Sequence, residues 1–285
     1  MKTVTRIAEL RTLVDGFARE GRRIGFVPTM GNLHAGHHSL LALARERADV
    51  VVASVFVNPA QFGPGEDFAR YPRTPEADAS GLAAQGCDVL FMPSAQDMYP
   101  DGVEGGVRVV VPGLSDVLEG AIRPGHFDGV ATVVAKLFNM VRPQVAVFGQ
   151  KDYQQLLVIR RMVRDLAFPI EVVAAPIVRE ASGLAMSSRN QYLDADQRER
   201  AAAIHATLEW MREWVLHSQQ PLGEIEAQAA AMLEQAGLQP DYAVLRRASD
   251  LGAPDGRREP LVALVAARLG GTRLIDNRLV EKNDR

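Results

Sequence analysis

Apolar positions along this chain follow two periods that take turns. Ile7, Leu10, Val14 and Phe17 recur at helical spacing, and Gly21 supplies a stop. Residues 24–27 form a short apolar run that predicts a strand, and residues 36–48 predict a helix. The run 50–57 is almost wholly apolar, as a strand covered on both faces must be. Helix signals then fall at 76–85, 129–141 and 153–166, and strand signals at 89–92, 145–148 and 170–174. This β-α-β order predicts an α/β fold, a doubly wound (Rossmann-like) parallel sheet.

Past about residue 180 the order changes. Helices are expected at 196–216 and 222–236, followed by strands at 242–246, 261–267 and 273–277. Helices followed by strands predict a smaller C-terminal α+β domain, with the boundary near 175–180 and the domains at 1–177 and 178–285. The charged end, 281–285, is expected to fray.

Composition narrows the class. At 285 residues and 47% hydrophobic, the chain can build a sizeable core. Its net charge of −3 argues against sequence-independent binding of nucleic acid, which needs a basic excess. Cys87 is the single cysteine, so neither an internal disulfide nor a cysteine zinc site is available, and it reads as a small buried residue. The first residues lack the apolar core of a signal peptide, and no apolar run approaches ~18 residues. No membrane contact and a cytoplasmic location are therefore expected.

The candidate chemistry begins at Pro28-Thr29-Met30-Gly31-Asn32-Leu33-His34-Ala35-Gly36-His37, between a strand and a helix. A helix start offers backbone N–H groups and partial positive charge, both suited to phosphate. Residues three apart share a helix side, so His34 and His37 can face one ligand, and Gly36 between them permits close approach. His38 reads as an ordinary surface residue. Asn58 and Gln61 follow the next strand, and their neutral amides suit a polar, uncharged substrate face, although Asn58-Pro59 is also a plain turn signal. The long Gly- and Pro-containing stretch 63–74 reads as a lid or an exposed loop. Gly149-Gln150-Lys151-Asp152 follows a strand and opens a helix: Lys151 can neutralise phosphate, Asp152 is also a natural N-cap, and Gln155 lies one turn on. In Met186-Ser187-Ser188-Arg189 two hydroxyls and a guanidinium can wrap a departing pyrophosphate. The segments 34–37, 58–61 and 149–152 each follow a strand, so the topology brings them to one crevice at the strands' carboxyl ends.

Taken in order, these segments resemble the pantoate–β-alanine ligase (pantothenate synthetase) family of the class I nucleotidyltransferase-like superfamily. The marks are Pro28 through His34, Phe56-Val57-Asn58-Pro59, Tyr71-Pro72-Arg73-Thr74, Arg123-Pro124-Gly125-His126-Phe127, Lys151-Asp152-Tyr153-Gln154-Gln155 and Ser187-Ser188-Arg189-Asn190. The resemblance implies condensation of (R)-pantoate with β-alanine through a pantoyl adenylate, using ATP and releasing AMP and pyrophosphate. It assigns ATP to Met30, Gly31, Asn32, Leu33, His34, Ala35, Gly36 and His37. Further ATP residues are Gly149, Gln150, Lys151 and Asp152, then Val178, and Met186, Ser187, Ser188 and Arg189. His34, His37 and Lys151 are catalytic in this assignment, with His37 the proton donor. Pantoate falls to Gln61, Gln155 and Asn58, and β-alanine to Gln61. The first domain then binds nucleotide and pantoate, the second closes over ATP, and the 63–74 loop shields the adenylate.

The resemblance also implies Mg²⁺ carried on the ATP phosphates, no protein metal site, no organic prosthetic group, and a homodimer. One departure is visible: Gln150 stands where many relatives have glutamate, which removes a negative charge beside Lys151. A cytidylyl- or adenylyltransferase of the same superfamily would share the histidine motif but leave Gln61 and Gln155 unexplained. A catalytically silent nucleotide-binding protein would have little use for both histidines, Lys151 and Arg189 together.

Overall fold

The computed structural model describes residues 1–281, so the end of the charged run 281–285 lies outside the described residues. The chain divides into two compact units. One comprises Met1–Gln150 and Gln154–Pro176, the other Lys151–Tyr153 and the chain from Ile177 onward.

The first unit runs β1 (Lys2–Val4), α1 (Ile7–Arg19), β2 (Ile24–Thr29), α2 (Ala35–Arg45), β3 (Val50–Val55), α3 (Pro75–Ala84), β4 (Val89–Phe91) and α4 (Ala95–Met98). It continues with α5 (Glu119–Ile122), α6 (His126–Val141), β5 (Val145–Gly149), α7 (Tyr153–Asp165) and β6 (Glu171–Ala175). The strands form one sheet in the order β1-β4-β3-β2-β5-β6, and every pair is parallel. Helices cover both faces, which is why Val50 to Ala53 in β3 are all buried. On one face Val27, Val51, Ala53, Val145 and Val147 pack with Leu40, Leu41 and Ala44 of α2 and Leu82 of α3. On the other, Phe138 of α6 meets Phe26, Phe148 and Phe168 edge-on, with centroids 5.8–6.3 Å apart.

Chain order reverses between β2 and β5: β3, β4 and β1 extend one way from β2, while β5 and β6 extend the other. Such a switch point opens a crevice beyond the strands' carboxyl ends. The turns after β2, β3 and β5, neighbours in the sheet, all leave at that edge.

The second unit contains α8 (Ala195–Ala201), α9 (Ala203–His217), α10 (Leu222–Gln235), β7 (Gln239–Arg247), β8 (Leu261–Leu269) and β9 (Thr272–Val280). Its three strands are antiparallel in the order β7-β8-β9 and enclose, with the helices, a core that includes Ile204, Leu208, Met211, Ile225, Leu233, Leu245 and Val265. The α/β class and the smaller α+β piece are as expected.

Several details differ from the sequence expectation. The single helix expected at 196–216 is two, because Ala202 ends α8 through an N–H bond to Glu199 O and starts α9. No glycine or proline signals that break. β1 was hidden because it is three residues long, largely exposed, and pairs with β4 alone. His38 is not a plain surface residue: it is half-buried against α3, where a Cβ at Gly81 would lie 3.1 Å from its Nε2. Cys87 is buried as expected, and burial first of all pushes its thiol up to about 11, so it is no nucleophile. Among the described residues no helix is long and apolar enough to cross a membrane.

Phe138 joins strand and helix aromatics at 1% exposure, so its truncation leaves a large void. Phe138→Ala is expected to cost about 3–5 kcal/mol in chemical denaturation followed by far-UV circular dichroism, and Phe138→Leu clearly less. A loss below about 1 kcal/mol for the alanine variant would show that this cluster does not organise the face.

Candidate active site

The turn from β2 to α2 is built so that its own backbone donors are occupied. Gly31 (φ +86°) and Asn32 (φ +50°) both adopt left-handed backbone. That pair of conformations aims the next N–H groups at the buried carboxylate of Asp78 on α3: Asn32 N–H donates to Oδ2 at 3.0 Å and Leu33 N–H to Oδ1 at 2.8 Å. A Cβ at Gly31 would lie 2.9 Å from Asp78 Oδ2, so this position requires glycine on two counts. Thr29 Oγ1, itself bound to Ser54 O at 2.8 Å, accepts from Gly31 N–H at 3.3 Å.

The two histidines then close the helix start on each other. His34 is the N-cap of α2, and its Nδ1 accepts from Gly36 N–H at 3.1 Å. His37 Nδ1 accepts from His34 N–H at 3.3 Å, and the rings lie 4.1 Å apart between centroids. This is a capping box made of imidazoles. An Nδ1 that accepts a backbone N–H carries no proton, so each neutral ring holds its proton on Nε2. The sequence reading assigned phosphate to backbone N–H groups of this helix start. Within the turn, the N–H groups of Asn32, Leu33, His34 and Gly36 are hydrogen-bonded to the Asp78 carboxylate and to the two Nδ1 atoms, and each imidazole keeps its proton on Nε2.

After β3 the chain makes a 3-10 turn, Pro59–Gln61, with Asn58 at its N-cap. Asn58 is 1% exposed and fully bonded. Its Nδ2 donates to Gln61 Oε1 at 3.0 Å and to Gly129 O at 3.1 Å, and its Oδ1 accepts from Tyr99 O–H at 2.6 Å and Ala60 N–H at 3.3 Å. An amide offers two N–H groups and two acceptor sites, so none remains for a ligand. Asn58 therefore stands behind Gln61 and orients it. The Gln61 amide nitrogen points to Met30 Sδ at 3.2 Å, which brings this turn against the start of the histidine turn. The loop beyond is held by its own aromatics: Phe62 meets Phe68 at 5.3 Å and Tyr71 at 5.9 Å, and Arg73 lies over Phe68.

β5 ends at Gly149, and Gln150 N–H bonds to Ala175 O of β6 at 2.9 Å. Of the two following glutamines, Gln154 is buried and structural, donating to Leu114 O and Val117 O and accepting from Glu119 N–H. Gln155 beside it is half-buried. Lys151 belongs to the second unit, where its carbonyl accepts from Asn277 Nδ2 at 2.8 Å and its Nζ lies 3.7 Å from Asp152. That unit also folds residues 178–186 back on themselves: Met186 N–H donates to Val178 O at 2.9 Å and Glu180 N–H to Leu184 O at 2.8 Å. Val178 and the Met186–Arg189 stretch are thereby brought side by side. Ser187 caps the 3-10 turn Ser188–Tyr192 by accepting from Arg189 N–H.

Three residues with evident roles carried no signal in the sequence. Asp78 looks like an acidic first-turn residue of a helix, Tyr99 like core, and Gly129 like a weak helix position. Yet a Cβ at Gly129 would sit 2.2 Å from Ala60 O and 2.7 Å from Gln61 Cα, so α6 seats the Gln61 turn at backbone contact. For Asp78, the expected outcome of Asp78→Ala is retained secondary structure, faster hydrogen exchange at Asn32 and Leu33, and ATP binding weaker by at least about tenfold, since two charge-assisted bonds are lost. Unchanged exchange and affinity would contradict the role given to this carboxylate.

Comparison with known proteins finds relatives over nearly the full length of the chain. The model of the family described as pantoate-beta-alanine ligase matches residues 2–279. A pantothenate synthetase of Xylella fastidiosa is 63% identical over 279 residues, covering 97% of this chain and 99% of that protein. One of Xanthomonas oryzae is 60% identical over 278 residues, with 97% and 99% coverage. Among solved structures, pantothenate synthetase of Thermus thermophilus superposes with a TM-score of 0.92 at 47% identity, covering 99% of this chain and 100% of that one. Pantoate-beta-alanine ligase of Francisella tularensis, complexed with beta-gamma ATP and beta-alanine, does so with 0.83 at 33% identity and 99% coverage of both chains. With a parallel sheet switching at β2, an imidazole-capped turn and an amide held against it, this chain belongs to the pantoate–β-alanine ligase family.

Proposed function

We propose that the chain joins (R)-pantoate to β-alanine in two steps that share one crevice. A carboxylate is a poor acyl donor because its departing oxygen is too basic. In the first step a pantoate carboxylate oxygen attacks the α-phosphorus of ATP, the bond to the bridging oxygen breaks, and pyrophosphate leaves. In the second, the β-alanine amine attacks the acyl carbon of the adenylate. The acyl C–O bond breaks, AMP departs, and the nitrogen loses a proton as the amide forms. The products are pantothenate, AMP and pyrophosphate.

The observation that carries this reading is the Gln61 amide, fixed by Asn58 and lying against Met30 where the histidine turn begins. A neutral amide suits the hydroxyls and carboxylate of a small polyhydroxy acid, and imidazole N–H donors suit phosphate. Their adjacency is what acyl adenylation needs, because the acid must reach the α-phosphorus. A nucleotidyl transfer to a phosphorylated alcohol has no use for the amide.

In this reading the Met30–His37 segment, Gly149, Gln150, Asp152, Val178 and Met186, Ser187, Ser188 and Arg189 hold ATP. His34, His37 and Lys151 stabilise charge as pyrophosphate departs, with His37 donating the proton. Gln61 and Gln155 hold pantoate, Gln61 also meets β-alanine, and Asn58 acts through Gln61. The 63–74 loop excludes water from the adenylate. Mg²⁺ enters with the nucleotide, bound by phosphate and water. Mg²⁺ and a homodimer are what the family resemblance implies.

The test is to incubate the protein with ATP, Mg²⁺ and pantoate, measure pyrophosphate, then add β-alanine and measure AMP and pantothenate. Pantoate-dependent pyrophosphate is expected, and its absence would overturn the reading. His37→Ala and Lys151→Ala are each expected to slow adenylation by at least ~10²-fold, the scale of removing one transition-state partner. Near-normal rates in both variants would show that the phosphates lie elsewhere.

A further inference from the structure

The run Arg123-Pro124-Gly125-His126-Phe127, which joins α5 to α6, has no part in the chemistry described so far. Gly125, in left-handed backbone at φ +79°, turns the chain into α6, and His126 N–H closes back on Arg123 O at 3.0 Å. Arg123 and His126 are thereby presented together. The guanidinium takes Glu66 of the 63–74 loop in a two-point grip, Nε to Oε1 at 2.8 Å and a terminal nitrogen to Oε2 at 2.5 Å. Both side chains are mostly buried, at 18% and 24% exposure. Burial works to raise the Glu66 pKa, but the Arg123 hydrogen bonds and charge outweigh it and hold the carboxyl below its ordinary value.

The remaining terminal nitrogen of Arg123 lies 3.1 Å from His126 Nε2. A guanidinium has no acceptor, so Nε2 must accept, and the imidazole carries its proton on Nδ1. Nδ1 lies 2.8 Å from the backbone carbonyl oxygen of Gln61, which cannot donate, so this N–H donates to it. Burial, and then the adjacent Arg123 charge, lower the His126 pKa to about 4, in keeping with a neutral ring. Arg123 also reaches the same carbonyl at 3.4 Å. One turn along α6, Gly129 touches the backbone of Ala60 and Gln61. A continuous chain of hydrogen bonds thus runs from the loop carboxylate through guanidinium and imidazole to Gln61.

We propose that Glu66, Arg123 and His126 form a positioning relay that couples the seating of the 63–74 loop to the alignment of Gln61. Loop closure and substrate alignment are then one event. The proposal rests on Gln61 being the amide that takes pantoate. Coupling of this kind prevents adenylate formation in an unshielded site, because an unseated loop leaves Gln61 misaligned.

The test compares wild type with Glu66→Gln, Arg123→Lys, His126→Leu and His126→Asn. Asparagine can place an amide N–H near the position of imidazole Nδ1, whereas leucine cannot. Two quantities are read for each: KM for pantoate and for ATP in pyrophosphate release, and AMP released without β-alanine as a fraction of pyrophosphate, which measures adenylate lost to water. Arg123→Lys and His126→Leu are expected to raise KM for pantoate about tenfold, the scale of one lost buried hydrogen bond, with KM for ATP little changed. Glu66→Gln should shift KM in the same direction, and the lost fraction should rise together with KM in every variant. His126→Asn should recover most of both. A fall in kcat alone, or an asparagine variant no better than leucine, would reduce the network to ordinary structural support and overturn the relay. If His126→Leu does not fold, Arg123→Lys and Glu66→Gln decide the matter by the same two readouts. Absence of pantoate-dependent pyrophosphate in the wild type would instead defeat the functional reading itself.

Discussion

The site depends on where a few backbone N–H groups point. At the turn between β2 and α2, Asn32 and Leu33 donate to one buried carboxylate, and His34 and Gly36 donate to two imidazole nitrogens. A buried donor left unpaired costs about 1–3 kcal/mol, so these bonds hold the turn in one shape. Because each Nδ1 is an acceptor, the proton of each neutral ring is confined to Nε2. On the proposed function, the backbone thus sets the tautomer and direction of the groups that stabilise charge. Electrostatic help of this kind is effective because it is in place before charge develops.

The same logic recurs at the neighbouring strand end. Gln61 is aimed by a side chain, Asn58, whose hydrogen-bonding positions are all occupied by protein. Tyr99 holds Asn58, and burial raises its phenol to about 12, so it stays a donor. Gly129 lets α6 approach within backbone contact. On the same proposal, a substrate-holding amide backed by buried groups that themselves have nowhere else to go is held to a small range of positions, as near-attack geometry requires.

The fold was readable because period and length seldom disagreed: apolar runs such as 50–57 have no other use than a doubly covered strand. The site was readable as an ordered series of strand-end segments, since a parallel sheet sends them all to one edge. What could not be read depends on contacts between distant parts of the chain. Asp78 lies 46 positions from Asn32, and nothing in its neighbourhood marks it as more than a helix-start acid. The same holds for the division of labour between Asn58 and Gln61, both neutral amides three residues apart. That the backbone N–H groups of Asn32, Leu33, His34 and Gly36 already have partners within the turn was equally illegible, because one of those partners is the distant Asp78. Ala202 breaks a helix without a breaker residue. The grouping of Lys151–Tyr153 with the second unit, through Asn277 and Ala248, follows from partners more than ninety residues downstream.

The central claim is that a carboxylate-anchored turn makes both histidines Nε2–H donors. Long-range proton–nitrogen correlation spectra of the imidazoles, recorded at neutral pH with and without ATP, test it most directly. The account predicts neutral Nε2–H tautomers for His34 and His37, with Nε2 resonances that move when ATP is added. An Nδ1–H tautomer in either ring, or Nε2 signals indifferent to ATP, would contradict it.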